Sequence, residues 1–78
     1  MENSAIQKIT SVKIEGEDII IYTGQQSHYF KIADVSKRLA QASEIEKNNF
    51  QISPSGYGIH WPQIDEDISL NGLLRNVK

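Results

Sequence analysis

Between Thr10 and Glu15 apolar and polar residues alternate, with Val12 and Ile14 on one face and Lys13 and Glu15 on the other, which predicts a β-strand. Gly16-Glu17-Asp18 supplies turn chemistry, and Ile19-Ile20-Ile21-Tyr22 is a β-branched and aromatic run suited to a central strand covered on both faces. Gly24-Gln25-Gln26 reads as a second hairpin loop, after which His28 to Ile32 alternates again, Phe30 and Ile32 on one side and Tyr29 and Lys31 on the other. The first half of the chain is thus read as a three-strand meander.

Asp34 then stands where a carboxylate would cap a helix by accepting from free backbone N–H groups. Val35, Leu39 and Ala42 fall at i, i+4 and i+7, while Lys37, Arg38 and Gln41 point away, so the spacing predicts a helix from about Asp34 to Ile45 packed on one face of the sheet. The apolar period is lost from Glu44 to Asn49, which reads as a connector. Phe50 to Ser53 is a fourth strand, Pro54-Ser55-Gly56 a turn, and Tyr57 to Trp61 a fifth strand that Pro62 ends because it has no N–H for a ladder. Leu70, Leu73 and Leu74 sit at helical spacing, although Gly72 weakens such a helix by roughly 1 kcal/mol relative to Ala. The predicted architecture is a single α+β domain over residues 1–78, mainly antiparallel, with three strands, a helix, two strands and a short C-terminal helix.

At 78 residues there is room for one core only. A chain of this size buries only about 60% of its unfolded surface, so help from a partner chain or from self-association is expected. The absence of Cys excludes disulfide staples and thiolate metal sites. A net charge of −2 with no basic run argues against direct nucleic-acid binding. Met1 to Ala5 does not open a basic and apolar signal peptide, and no apolar run approaches the roughly 18 residues of a membrane span. The expectation is a cytoplasmic protein with no membrane association.

The unusual residues gather in Ser53-Pro54-Ser55-Gly56-Tyr57-Gly58-Ile59-His60-Trp61-Pro62, followed by Asp65, Glu66 and Asp67. If Tyr57, Ile59 and Trp61 face the core, Gly58 and His60 face the other side, and Gly58 leaves a shallow gap beside His60. His60 with the three acids resembles a metal or general acid/base site in residue type. Its spacing offers no set of three converging ligands, and acids are also what a helix's first turn favours. Gly56-Tyr57-Gly58 is better read as a hairpin than as an anion nest, and neither Ser53, Ser55 nor Ser69 sits in a nucleophile elbow. No catalytic, metal or cofactor residue is assigned. Partly buried Trp and Tyr are frequent interface anchors, so Tyr57, His60, Trp61, Asp65, Glu66 and Asp67 are the partner-binding candidates, with His60 and Glu66 on the solvent side.

The segment from Ser53 to Leu74, with its Gly56-Tyr57-Gly58-Ile59-His60-Trp61-Pro62 stretch, resembles a bacterial domain of unknown function, family 2442, and Phe30-Lys31-Ile32-Ala33-Asp34 is similar too. The resemblance implies a small α+β module, sometimes joined to a helix-turn-helix domain and often encoded beside another small protein as in toxin and antitoxin pairs. It implies no catalytic residues.

The expected function is a non-catalytic protein-interaction module, the antitoxin-like or regulatory member of a bacterial two-gene pair. Its partner would be a small protein, basic to complement this acidic chain, and homo-oligomers are a further expectation. One alternative is a small-molecule-sensing regulatory domain with its ligand near His60 and Trp61. Another is a metal-assisted hydrolase using His60 and the Asp65 to Asp67 turn.

Overall fold

The computed structural model describes residues 8–24 and 26–75. The amino-terminal segment Met1 to Ala5 and Gln25 of the second hairpin loop lie outside them.

The first sheet is the expected meander of β1 (Ile9–Glu15), β2 (Asp18–Thr23) and β3 (Ser27–Lys31), antiparallel in the order β1-β2-β3. β2 is central, and Ile19, Ile20 and Ile21 are all buried, as a β-branched run covered on both faces requires. Ile19 and Ile21 enter the main core, and the alternation in β1 and β3 brings Val12, Ile14 and Phe30 to the same face.

The single helix expected from Asp34 to Ile45 is instead three short ones: α1 (Ile32–Val35), α2 (Lys37–Ala40) and α3 (Glu44–Asn48). The breaks fall at serines. Ser36 adopts an extended backbone (φ −159°, ψ 118°), and its hydroxyl accepts from the Leu39 N–H, capping α2. Ser43 and Glu46 form a reciprocal capping box at the start of α3. Asp34 is therefore not the N-cap. It is exposed within α1, and only Leu39 of the predicted apolar triplet is fully buried.

The second sheet also differs from expectation. It has three strands, β4 (Gln51–Ile52), β5 (Gly58–Trp61) and β6 (Glu66–Ser69), again antiparallel in that order. Of the acids read as the first turn of a helix, Glu66 and Asp67 belong to β6. A turn over residues 62–65 reverses the chain, with Asp65 in the left-handed region at φ 53°, which Asp tolerates better than most residues. α4 (Leu70–Arg75) follows directly, as the leucine spacing predicted, and Ser69 caps it by accepting from the Gly72 N–H.

Ile59, Trp61 and Ile68 from this sheet meet Ile19, Ile21, Leu39, Leu70 and Leu73 in one core. The sheets are joined at the Pro54 to Tyr57 turn, where the Ile9 N–H donates to the Gly56 carbonyl at 2.8 Å, while the Leu70 N–H donates to the Tyr57 carbonyl at the end of the β5–β6 ladder, also at 2.8 Å. Gly56 is buried there with φ 80°, and an added Cβ would lie 2.9 Å from Lys8 Cβ. Gly56→Ala is accordingly expected to cost about 1–2 kcal/mol, from left-handed strain and displacement of β1. Urea denaturation measures this, and an unchanged midpoint would contradict the account of the junction. Among the described residues no helix is long and apolar enough to cross a membrane.

Candidate functional site

The β5–β6 hairpin sorts the sequence-nominated residues onto different surfaces. Trp61 pairs with Glu66, and Ile59 with Ile68, on the core side; His60 pairs with Asp67, and Gly58 with Ser69, on the outer side.

Trp61 is 0% exposed, tilted against Phe50 at 6.0 Å between ring centroids, and its indole N–H donates to the Lys47 carbonyl at 2.8 Å. It presents no surface to a partner, which corrects its nomination as an anchor: a full apolar shell and a satisfied N–H make it the centre of the core. Tyr57, expected to face that core, precedes the first residue of β5 and is 46% exposed.

Glu66 is a second correction. Placed on the core side by its pairing with Trp61, its half-buried carboxylate accepts from the hydroxyl of buried Ser36. It holds the helix break against β6 and is not a free surface acid. Asp65 is exposed at the turn, where Arg38 clamps its carbonyl with a 3.0 Å hydrogen bond.

What remains outside is a polar face. Gln51, His60 and Asp67 form one cross-strand row. The His60 Nδ1 lies 2.7 Å from Asp67 Oδ1, and because an ionised carboxylate only accepts, Nδ1–H is the donor. Beside it lies the gap expected at Gly58, a depression of about 180 Å³ lined by Ser53, Gly58, His60, Asp67 and Ser69, floored by Ile59 and Ile68. The Ser53 hydroxyl accepts from the Tyr57 and Gly58 N–H groups, so it organises the turn that carries Tyr57.

The geometry gathers His60 and Asp67, leaves Tyr57 exposed on the turn before β5, and separates Asp65 and Glu66 from the His60–Asp67 pair. Among the described residues no group of three His, Asp or Glu side chains converges as a metal would need. Ser53 and Ser69 were not nominated from sequence as lining residues. Their alternation with His60 and Asp67 becomes visible only once β6 is recognised as a strand.

A solved structure of a protein of unknown function from Rhodospirillum rubrum ATCC 11170 is similar to this chain, with a TM-score of 0.79 and 23% identity over 92% of this chain and 89% of that one. That likeness speaks for a shared fold. No curated protein matches the chain. A family model described as "Protein of unknown function (DUF2442)" matches residues 9–78, from the first residue of β1 through α4. With nearly its whole length matched, the chain belongs to the DUF2442 family of proteins of unknown function.

Proposed function

We propose that this chain is a non-catalytic protein-interaction module that receives its partner at the outer face of β4–β6, on His60 and Asp67, and at the adjoining exposed turn residue Tyr57. The observation that carries the reading is the exposed Tyr57, one residue before Gly58, which lines an open depression bordered by Ser53, His60, Asp67 and Ser69. An aromatic anchor bordered by hydrogen-bonding groups is the composition interfaces favour. At about 180 Å³ the depression is smaller than the roughly 300 Å³ at which small-molecule sites begin, so it suits an inserted side chain better than an enclosed ligand. Glu66 and Asp67 on opposite faces of β6 weigh against the hydrolase reading. The antitoxin-like role is a narrower form of the same proposal. A net charge of −2 favours a basic partner through faster encounter.

The test is calorimetric binding to a purified protein encoded beside this chain and found to co-purify with it. Tyr57→Ala, and His60→Ala combined with Asp67→Ala, are each expected to weaken binding by more than about 1 kcal/mol while leaving the melting curve in place. Both variants keep the core and the Ser36–Glu66 contact. Full affinity in both, with unchanged melts, would remove this face as the site.

A further inference from the structure

One edge of the first sheet is β3. Two hydrogen bonds fix the phase of the β2–β3 ladder: Thr23 N–H to the Gln26 carbonyl and Ile32 N–H to the Glu17 carbonyl, each 2.8 Å. The register between them pairs Ile21 with His28 and Ile19 with Phe30, so these residues exchange the backbone bonds of the hairpin. By the same alternation the N–H and C=O groups of Ser27, Tyr29 and Lys31 point away from β2, and these residues are exposed, Tyr29 at 70%.

The other edges are guarded or short. β1 has a register shift between Ile9 and Ser11, and its Ile9 N–H is taken by Gly56. β4 has two residues and β6 four, whereas β3 runs five residues in unbroken register.

We propose that β3 pairs antiparallel with β3 of a second copy about a two-fold axis at Tyr29, joining the two meanders into one continuous sheet. The side chains are self-complementary in that register. Tyr29 meets the second copy's Tyr29 on the outer face as an aromatic cross-strand pair. Ser27 meets the second copy's Lys31, so no like charges oppose each other, and each Lys31 keeps its 3.2 Å ion pair with Asp18. On the inner face His28 meets the second copy's Phe30, extending the stacked His28–Phe30 arrangement already present in each chain. The paired segment is short, so the dimer is weak and concentration-dependent, with a dissociation constant on the order of 1–100 μM.

Sedimentation velocity of the purified chain alone tests this without any partner, from about 1 to 500 μM, a range chosen to span that affinity. The mass is expected to rise from 8.8 kDa toward twice that value. Tyr29→Lys, which sets two ammonium groups across the axis, is expected to raise the dissociation constant at least about tenfold, while Tyr57→Lys leaves it unchanged. Register is read independently by single thiols in this Cys-free chain. A short thiol crosslinker joins Tyr29→Cys copies but not Glu15→Cys copies, which lie on the far edge strands and are separated by about five strand spacings. A monomer throughout the concentration range, or a dimer that Tyr29→Lys leaves intact and whose Tyr29→Cys variant does not crosslink, overturns the proposal.

Discussion

Trp61→Ala is expected to remove about 3–5 kcal/mol of stability. A domain of this length has roughly 4–12 kcal/mol in total, so much of the population would be unfolded at moderate temperature. Two losses combine. The first is the apolar volume of the largest fully buried side chain, which touches both the β5–β6 layer and Phe50. The second is the indole N–H bond to Lys47, which ties the end of α3 to the second sheet. Trp61→Phe separates them, since it keeps most of the ring and deletes the donor; it is expected to cost about 1–3 kcal/mol. As the only Trp, residue 61 reports its own environment by fluorescence in the native protein, while circular dichroism follows the variants in urea. A Trp61→Ala protein that unfolds cooperatively within about 1 kcal/mol of the parent would show that the core is organised elsewhere.

The meander was legible because its signal is periodic and its loops carry Gly and polar residues, and α4 because three leucines outweigh one glycine. The errors have a common source in short hydroxyl and acidic residues. Ser36 lies inside an apolar i, i+4 pattern, and nothing in that pattern distinguishes an exposed helical serine from one that turns inward to cap a new helix. Ser43-Glu44-Ile45-Glu46 is a readable capping box, a serine followed three residues later by a glutamate, and a helix drawn from Asp34 to Ile45 runs through it. β6 was hidden because Glu66 alternates with Ile68 over only four residues, and the burial of Glu66 depends on a serine thirty positions away. Of the candidate site, His60 and the Gly58 gap were within reach of sequence, whereas Tyr57, read as facing the core, is exposed because it precedes β5. The His60–Asp67 pairing was not, because it needs the hairpin register.

Two surfaces thus lie on different sheets. The β3 edge offers backbone groups and a self-complementary register, which suits a copy of the same chain. The β4–β6 face offers side chains and a depression, which suits a different protein. Because Tyr29 lies in the first sheet and Tyr57 in the turn before β5, one surface can be altered while the other is kept, and the failure of either proposal leaves the other standing.

The contact that joins the helices to β6 should show strong coupling. Ser36 uses its one hydroxyl twice, donating to Glu66 and accepting from the Leu39 N–H at 3.1 Å. Its own N–H is taken by the Ile32 carbonyl, closing α1. Ser36→Ala therefore removes the cap of α2 and strips the half-buried Glu66 carboxylate of its hydroxyl donor. Together these are expected to cost about 2–4 kcal/mol, roughly 1 from the cap and the remainder from the charged hydrogen bond. Glu66→Ala loses only the second part, about 1.5–3 kcal/mol. Once the hydroxyl is gone, deleting the carboxylate also deletes an unsatisfied group, so the double variant is expected to be less destabilised than the sum of the two singles by more than about 1 kcal/mol. Ser36→Thr keeps the hydroxyl and separates its loss from general crowding at a buried position. The measurement is a double-mutant cycle from urea denaturation at constant pH, with slopes checked for two-state behaviour. Strict additivity, with each single variant below about 0.5 kcal/mol, would mean that Glu66 is only a surface acid and would return it to the list of partner-binding residues.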